Sequence, residues 1–156
     1  LIAKYFNKSN EVFSSFISGQ VLDAIVVGIL TSIAMSVIGV KYSVLLGFLI
    51  GLFNLIPYFG AIIAVTVAIL ITIFTGGIGQ AIVMAIVVII LQQIDANIIN
   101  PKIIGGSLSI SPLLVIFSVT VGGAYFGVLG MFLAVPIFTV IKLLIEEYIE
   151  YKSSTI

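Results

Sequence analysis

The densest chemistry in this chain is the run Gln92-Gln93-Ile94-Asp95-Ala96-Asn97-Ile98-Ile99-Asn100-Pro101-Lys102, which sets four side-chain amides around one carboxylate. On a helix turning about 100° per residue, Gln93, Asn97 and Asn100 share a narrow face, with Gln92 and Asp95 flanking it. An ionisable group inside a membrane is costly and usually faces a cavity, so this face reads as a hydrophilic pathway. Asp95 is its candidate for coupling to a proton or cation. The competing reading is a span that simply emerges into the headgroups here.

A second constellation, Asn54-Leu55-Ile56-Pro57-Tyr58-Phe59-Gly60, combines an amide, a helix breaker, a phenol and a permissive glycine in seven residues. Pro57 leaves carbonyls about one turn earlier without their N–H partners, and Gly60 lets the backbone turn or a neighbour approach. An amide such as Asn54 in hydrocarbon needs partners, which freed carbonyls or a substrate can provide. Asn54, Pro57, Tyr58 and Gly60 therefore join Gln92, Gln93, Asp95, Asn97 and Asn100 as the expected substrate or ion pathway. Asp23, near the start of a span, is expected to be interfacial.

Cysteine, histidine, arginine and tryptophan do not occur. Thiol and imidazole catalysis, soft-metal ligation and guanidinium clamping of anions are thereby closed to this segment, and no cofactor is expected. An intramembrane aspartyl protease needs paired carboxylates sharing a proton, with glycine beside them to admit a substrate backbone. Asp23 follows Leu22 and Asp95 follows Ile94, so that reading is weak, and no Gly-x-Ser-x-Gly supports a serine protease. The chain is read as a non-enzyme. Six basic and six acidic residues cancel, which leaves no basic patch for nucleic acid.

The elements that must position these residues lie in lipid. Hydrophobic residues make up 62% of the chain and charged ones 8%, far below the roughly 25% of a soluble domain. Residues 42 to 94 carry no charged side chain. A single helix of that run would reach about 80 Å, more than twice a hydrocarbon core of about 30 Å, so the chain must fold back within the bilayer. Spanning backbone must satisfy its own hydrogen bonds, and no barrel-like alternation is sustained, so the spans are helices.

The expected fold is all-α, with polytopic transmembrane helices including two Gly/Pro-broken or hairpin segments. A first span covers about Gln20 to Val40. A block from Tyr42 to Thr75 is split at Pro57 and ends in the turn signal Gly76-Gly77-Ile78-Gly79. A third span runs from about Gln80 to Asn97, and Asn100-Pro101 and Gly105-Gly106 mark a loop before Pro112. The last block, Leu113 to Ile145, holds Gly122-Gly123, Gly127, Gly130 and Pro136 and is again too long for one crossing; Glu146, Glu147, Glu150 and Lys152 then form a solvated tail. The two broken blocks resemble a loose repeat of the kind that builds transporter sites from discontinuous helices. The GxxxG patterns Gly47/Gly51 and Gly123/Gly127 are assigned to helix packing. Residues 1–156 are treated as one transmembrane domain, and the opening Leu1, with no signal-peptide pattern after it, as the C-terminal part of a longer protein.

Residues Gly19-Gln20, Gly51 through Gly60, Gln92-Gln93 through Asn100-Pro101-Lys102, Ser107-Leu108-Ser109-Ile110-Ser111-Pro112-Leu113 and Gly122-Gly123 through Pro136 together resemble the autoinducer-2 exporter family of bacterial and archaeal membrane proteins. The match runs from Phe16 to Ile145. It departs at Ser111, where the family often has histidine, and at Ala61, where it often has proline. The resemblance implies a multi-pass, homo-oligomeric carrier of the cell (inner) membrane whose partners are the lipid bilayer and a small polar solute or a monovalent cation or proton. Members are divided between export of the autoinducer-2 quorum-sensing signal, sodium or lithium exchange for protons, and a role in sporulation. Export of such a signal is the first expectation, sodium(lithium)/proton antiport the second, and a non-transporting scaffold in envelope or spore assembly the third.

Overall fold

A computed structural model of the chain describes residues 2–104 and 112–156. The expected Gly105-Gly106 loop and the Ser107 to Ser111 part of the family-like motif lie outside the described residues. The described backbone is helical throughout its regular elements: α1 (Ile2–Val37), α2 (Ser43–Phe53), α3 (Phe59–Ile94), a π-helical turn (Asp95–Ile99), α4 (Asn100–Ile104) and α5 (Pro112–Ser154). Among the described residues, three helices are long and apolar enough to cross a membrane. Their outward faces carry large apolar side chains, Phe74 and Ile62 among them, as a lipid-facing surface requires. This is a multi-pass membrane protein.

α1 begins at Ile2, well before the Gln20 expected for the first span. A helix is not obliged to stop at the headgroups, and the polar stretch from Lys4 to Glu11 simply continues it. Likewise α5 runs on to Ser154, and the charged tail is helical. Two compact units emerge: residues 19–105, and residues 1–18 with 106–156.

In the unit of residues 19–105, α3 cannot be straight. A 36-residue helix would extend about 54 Å. Yet Asp95, just past its end, touches Asn54, five residues before its start. The reversal is at Gly77, whose φ of 86° and ψ of 172° are open only to glycine, inside the expected Gly76 to Gly79 turn. α3 is thus a hairpin with arms at residues 59–76 and 78–94. Its first arm presents Gly60, Ala64, Ala68 and Thr72, every fourth residue and all buried. That narrow stripe lets helices approach closely without large side chains between them. Val27 and Met35 of α1, Leu46 and Ile50 of α2, and Met84 and Val88 of the second arm complete one core.

Gly47 and Gly51 set the contact between α2 and α1. A Cβ on Gly47 would lie 1.9 Å from Ser32 Oγ, and one on Gly51 2.6 Å from the Ala24 carbonyl oxygen. At the end of the core remote from Asp95, Gln80 donates to the Gly39 carbonyl at 2.7 Å and closes the connection between α1 and α2.

In the other unit α5 also folds back. Gly122 and Gly130 are backbone neighbours, and the rings of Phe117 and Phe138 meet edge to face at 6.2 Å, although 21 residues separate the two phenylalanines. The apex is Gly127, at φ 69° and ψ −147°. This corrects the expected packing role of Gly123/Gly127. A Cβ on Gly127 would meet nothing within 4 Å, and Gly123 faces only the flexible Met131 side chain. The backbone-to-backbone approach is made by Gly122 and Gly130, which lie on opposite arms of the hairpin. Lys8 pairs with Glu147, so that glutamate is held rather than freely solvated.

Candidate functional site

Three pieces of backbone, two of them irregular, meet at one end of the unit of residues 19–105. The first is the break after α2. Residues 54–58 leave the helix, and Phe59 N–H closes a 2.7 Å bond onto the Pro57 carbonyl across Tyr58. With φ 63° and ψ −60°, Tyr58 is the centre of the rarer, strained form of γ-turn. Gly60 fits beneath it because a Cβ there would collide with the Phe53 carbonyl oxygen at 1.7 Å. The Leu55 carbonyl, released from helical bonding, accepts from Gln20 Nε2 at 3.3 Å.

The second is the π-turn, where the Asn100 N–H reaches back five residues to the Asp95 carbonyl. An α-helical turn would press the Pro101 ring against the Asn97 carbonyl; the wider turn makes room for it. Asn100 and Pro101 therefore continue as helix rather than forming the expected loop. In an ordinary α-helix Asn100 would point about 140° away from Asp95. The π-turn brings both inward. The third piece is the α1 segment carrying Gln20 and Asp23, three residues apart and so on one helix face.

These pieces deliver one polar cluster. Asn54, at the C-terminal cap of α2, donates through Nδ2 to Asp23 Oδ2 at 2.8 Å and to Asp95 Oδ2 at 3.2 Å. Asn100 Nδ2 donates to Gln20 Oε1 at 3.2 Å. Asp23 is 0% exposed, Gln20 4% and Asp95 5%. The second oxygen of each carboxylate, Oδ1, is buried with no hydrogen-bond partner among the described residues. No lysine among the described residues forms a salt bridge with either carboxylate.

Of the residues singled out in the sequence, Asn54, Asp95 and Asn100 converge here, while Pro57 and Gly60 shape the break. Gln92 lies next to the turn with a buried, unpartnered Nε2. Tyr58 is 48% exposed. Gln93 and Asn97 point outward and bond to each other, Asn97 Nδ2 donating to the Gln93 carbonyl at 2.8 Å. The expected single amide face is therefore divided: two residues turn a helix by about 200°, which puts Asp95 across the axis from Gln93 rather than beside it. Asp23, expected at the end of a span, is the most buried member of the cluster. Its signal was the Gln20/Asp23 pair on one face of the otherwise apolar stretch of residues 19–30.

Beside α1 and α2 lies an open groove of about 510 Å³ lined by Ala24, Gly28, Ser32, Phe48, Gly51 and Leu55. Its lining is overwhelmingly apolar and suits hydrocarbon rather than a polar solute.

Comparison with known sequences identifies a family of transporters. A family model described as AI-2E family transporter matches residues 1–150. YrrI of Bacillus subtilis (strain 168), named as a transport protein, is 33% identical over 92% of this chain and 40% of its own length. YueF of the same organism, also named as a transport protein, is 33% identical over 89% of this chain and 37% of its own. PerM of Escherichia coli (strain K12), named as a permease, is 33% identical over 95% and 42% respectively. The chain thus spans about two fifths of the length of the curated relatives it matches.

Proposed function

Because this chain belongs to the AI-2E family of transporters, we propose that it forms the site-bearing part of a secondary transporter in a bacterial cell membrane, exporting a small polar solute such as the autoinducer-2 signal. The supporting observation is the buried cluster of Gln20, Asp23, Asn54, Asp95 and Asn100, set where α2 is broken and the end of the α3 hairpin is π-wound. Polar groups of this density are expensive among helices otherwise dressed for lipid. Their alignment with broken helices is what a solute site in a carrier requires. Homo-oligomeric assembly belongs to the same proposal.

One observation favours sodium(lithium)/proton antiport as a second reading: two buried carboxylates, each with an oxygen unpartnered among the described residues. A membrane scaffold would have no use for them. The deciding experiment is flux into proteoliposomes holding the full-length protein, with labelled autoinducer-2 and labelled sodium measured in parallel against an imposed pH gradient. Signal transport without sodium flux supports the first reading, and sodium flux without signal transport the second. Neither flux, in vesicles with verified protein orientation and density, removes the transporter proposal.

A further inference from the structure

The groove beside α1 and α2 lies outside the polar cluster, and its shape is set by how the two helices cross. They run antiparallel, with Ser32 against Gly47 and Ala24 against Gly51. The slot above this close contact is lined by exposed Ile25 and Ile29 of α1 and exposed Phe48 and Leu52 of α2. The one hydroxyl in the lining, Ser32 Oγ, is already spent on the Gly28 carbonyl at 2.7 Å. Nothing polar is left to hold a solute there.

Along α1 the lining runs from Val21 to Ile33, about 18 Å at the rise of a helix. The volume of about 510 Å³ then gives a mean cross-section of about 28 Å². A helix about 10 Å across needs roughly 80 Å². A hydrocarbon chain, whose carbons touch their neighbours at about 4 Å, needs about 16 Å². The slot fits a chain, not a helix.

One end of the slot has a defined depth in the membrane. Lys41 is the only charged residue between Asp23 and Asp95, so it belongs among the headgroups, where its ammonium stands 5.4 Å from the centre of the Tyr42 ring. Both residues are exposed, and Lys41 makes no salt bridge among the described residues. Val44, three residues on, lines the mouth of the slot. From there α2 continues for only part of its 11 residues, and its whole length of about 16 Å matches one leaflet of a core of about 30 Å. A spanning helix would be seated along half its length, whereas an acyl chain is seated along all of it.

We infer that this slot binds one acyl chain of a membrane phospholipid, with the lipid phosphate on the Lys41 ammonium and the chain end against Leu55 in the break after α2. The phosphate supplies the negative charge that Lys41 lacks, and the chain covers apolar atoms along one leaflet. The site does not depend on which solute the protein carries.

The test is photolabelling of the full-length protein in phosphatidylcholine nanodiscs containing a little phosphatidylglycerol with a diazirine on one acyl chain. One probe carries the diazirine near the ester and a second carries it at the chain end, and adducts are mapped by mass spectrometry. The first should label Val44 and Phe48, and the second Val21, Leu52 and Leu55, each severalfold above Ile62 and Phe74 on the open lipid face. Phosphatidylcholine bearing the same diazirine should label the slot about fivefold less, the preference that one lysine confers, and Lys41→Gln should abolish that difference. Ile29→Trp fills the slot from a side chain that is already exposed and should suppress both sets of adducts; Ile62→Trp should not. Should a variant fold poorly, the depth pattern and headgroup preference of the wild type still decide. The inference is overturned by slot adducts no more frequent than those at Ile62 and Phe74, which is ordinary boundary lipid. It is also overturned by a slot protected from both probes, which another helix or a second copy of the chain would cause, or by equal labelling of the wild type with the two headgroups.

Discussion

Gly51→Ala tests whether the packing of α2 on α1 sets the geometry of the polar cluster. The added methyl would sit 2.6 Å from the Ala24 carbonyl oxygen and 2.9 Å from Gly28 Cα, both backbone atoms that no rotamer change can move. Reaching an ordinary contact of about 3.4 Å requires α2 to withdraw by about 0.8 Å, and a gap of that size forfeits a quarter to a half of each dispersion contact along the crossing. The expected loss is about 1–3 kcal/mol, the usual range for overpacking. Asn54 caps α2 three residues on, so the displacement also lengthens its bonds to Asp23 and Asp95. The assay is unfolding of the full-length protein in mixed micelles of increasing denaturing detergent, followed by circular dichroism, with transport at matched membrane density. Gly79→Ala is the control, since a Cβ there meets nothing within 4 Å and helical alanine is favoured over glycine by about 0.5–1 kcal/mol. If Gly51→Ala were as stable and active as Gly79→Ala, the close crossing would be refuted.

Three further outcomes are expected. Tyr58→Gly should raise unfolding stability by about 1 kcal/mol by relieving the left-handed φ, and should lower transport if the strained turn holds Asn54 in place, measured on the same samples. Gln20→Leu should cost about 1–3 kcal/mol, because the Leu55 carbonyl and the Asn100 amide both lose a buried partner; amide hydrogen exchange at residues 54–58 should accelerate. Gly127→Ala should destabilise the α5 hairpin by about 1–3 kcal/mol through backbone strain alone, read by protease nicking near residue 127, despite the open space around it.

The two broken blocks were legible because their causes are local. Pro57 has no N–H, and the glycines at 77 and 127 stand in runs too long for one crossing, so a reversal was demanded by length and permitted by residue type. What was not legible depended on geometry that sequence spacing conceals. The period of 100° per residue fails at residues 95–99, where the accommodation of Pro101 widens the turn, and so Asn100 joins Asp95 while Gln93 and Asn97 face outward. The GxxxG pattern at Gly123/Gly127 misled for a related reason: Gly127 is the apex of a hairpin, so the backbone contact runs between its two arms, at Gly122 and Gly130, rather than along one helix face. Asp23 was not read as part of the cluster because hydropathy does not report which neighbouring helix covers a carboxylate.

The position of the cluster follows from how membrane proteins tolerate irregular backbone. A γ-turn and a π-turn each release carbonyls and N–H groups that lipid cannot satisfy, so such turns persist only where protein groups take them up. Here one residue does much of that work: Gln20 accepts from Asn100 beyond the π-turn and donates to Leu55 within the break, tying both irregularities to α1. The same convergence leaves Asp23 and Asp95 facing a single amide. Any motion that straightens the π-turn must rotate Asn100 away from Gln20 and Asp95 away from Asn54 together, since both depend on the extra residue in that turn.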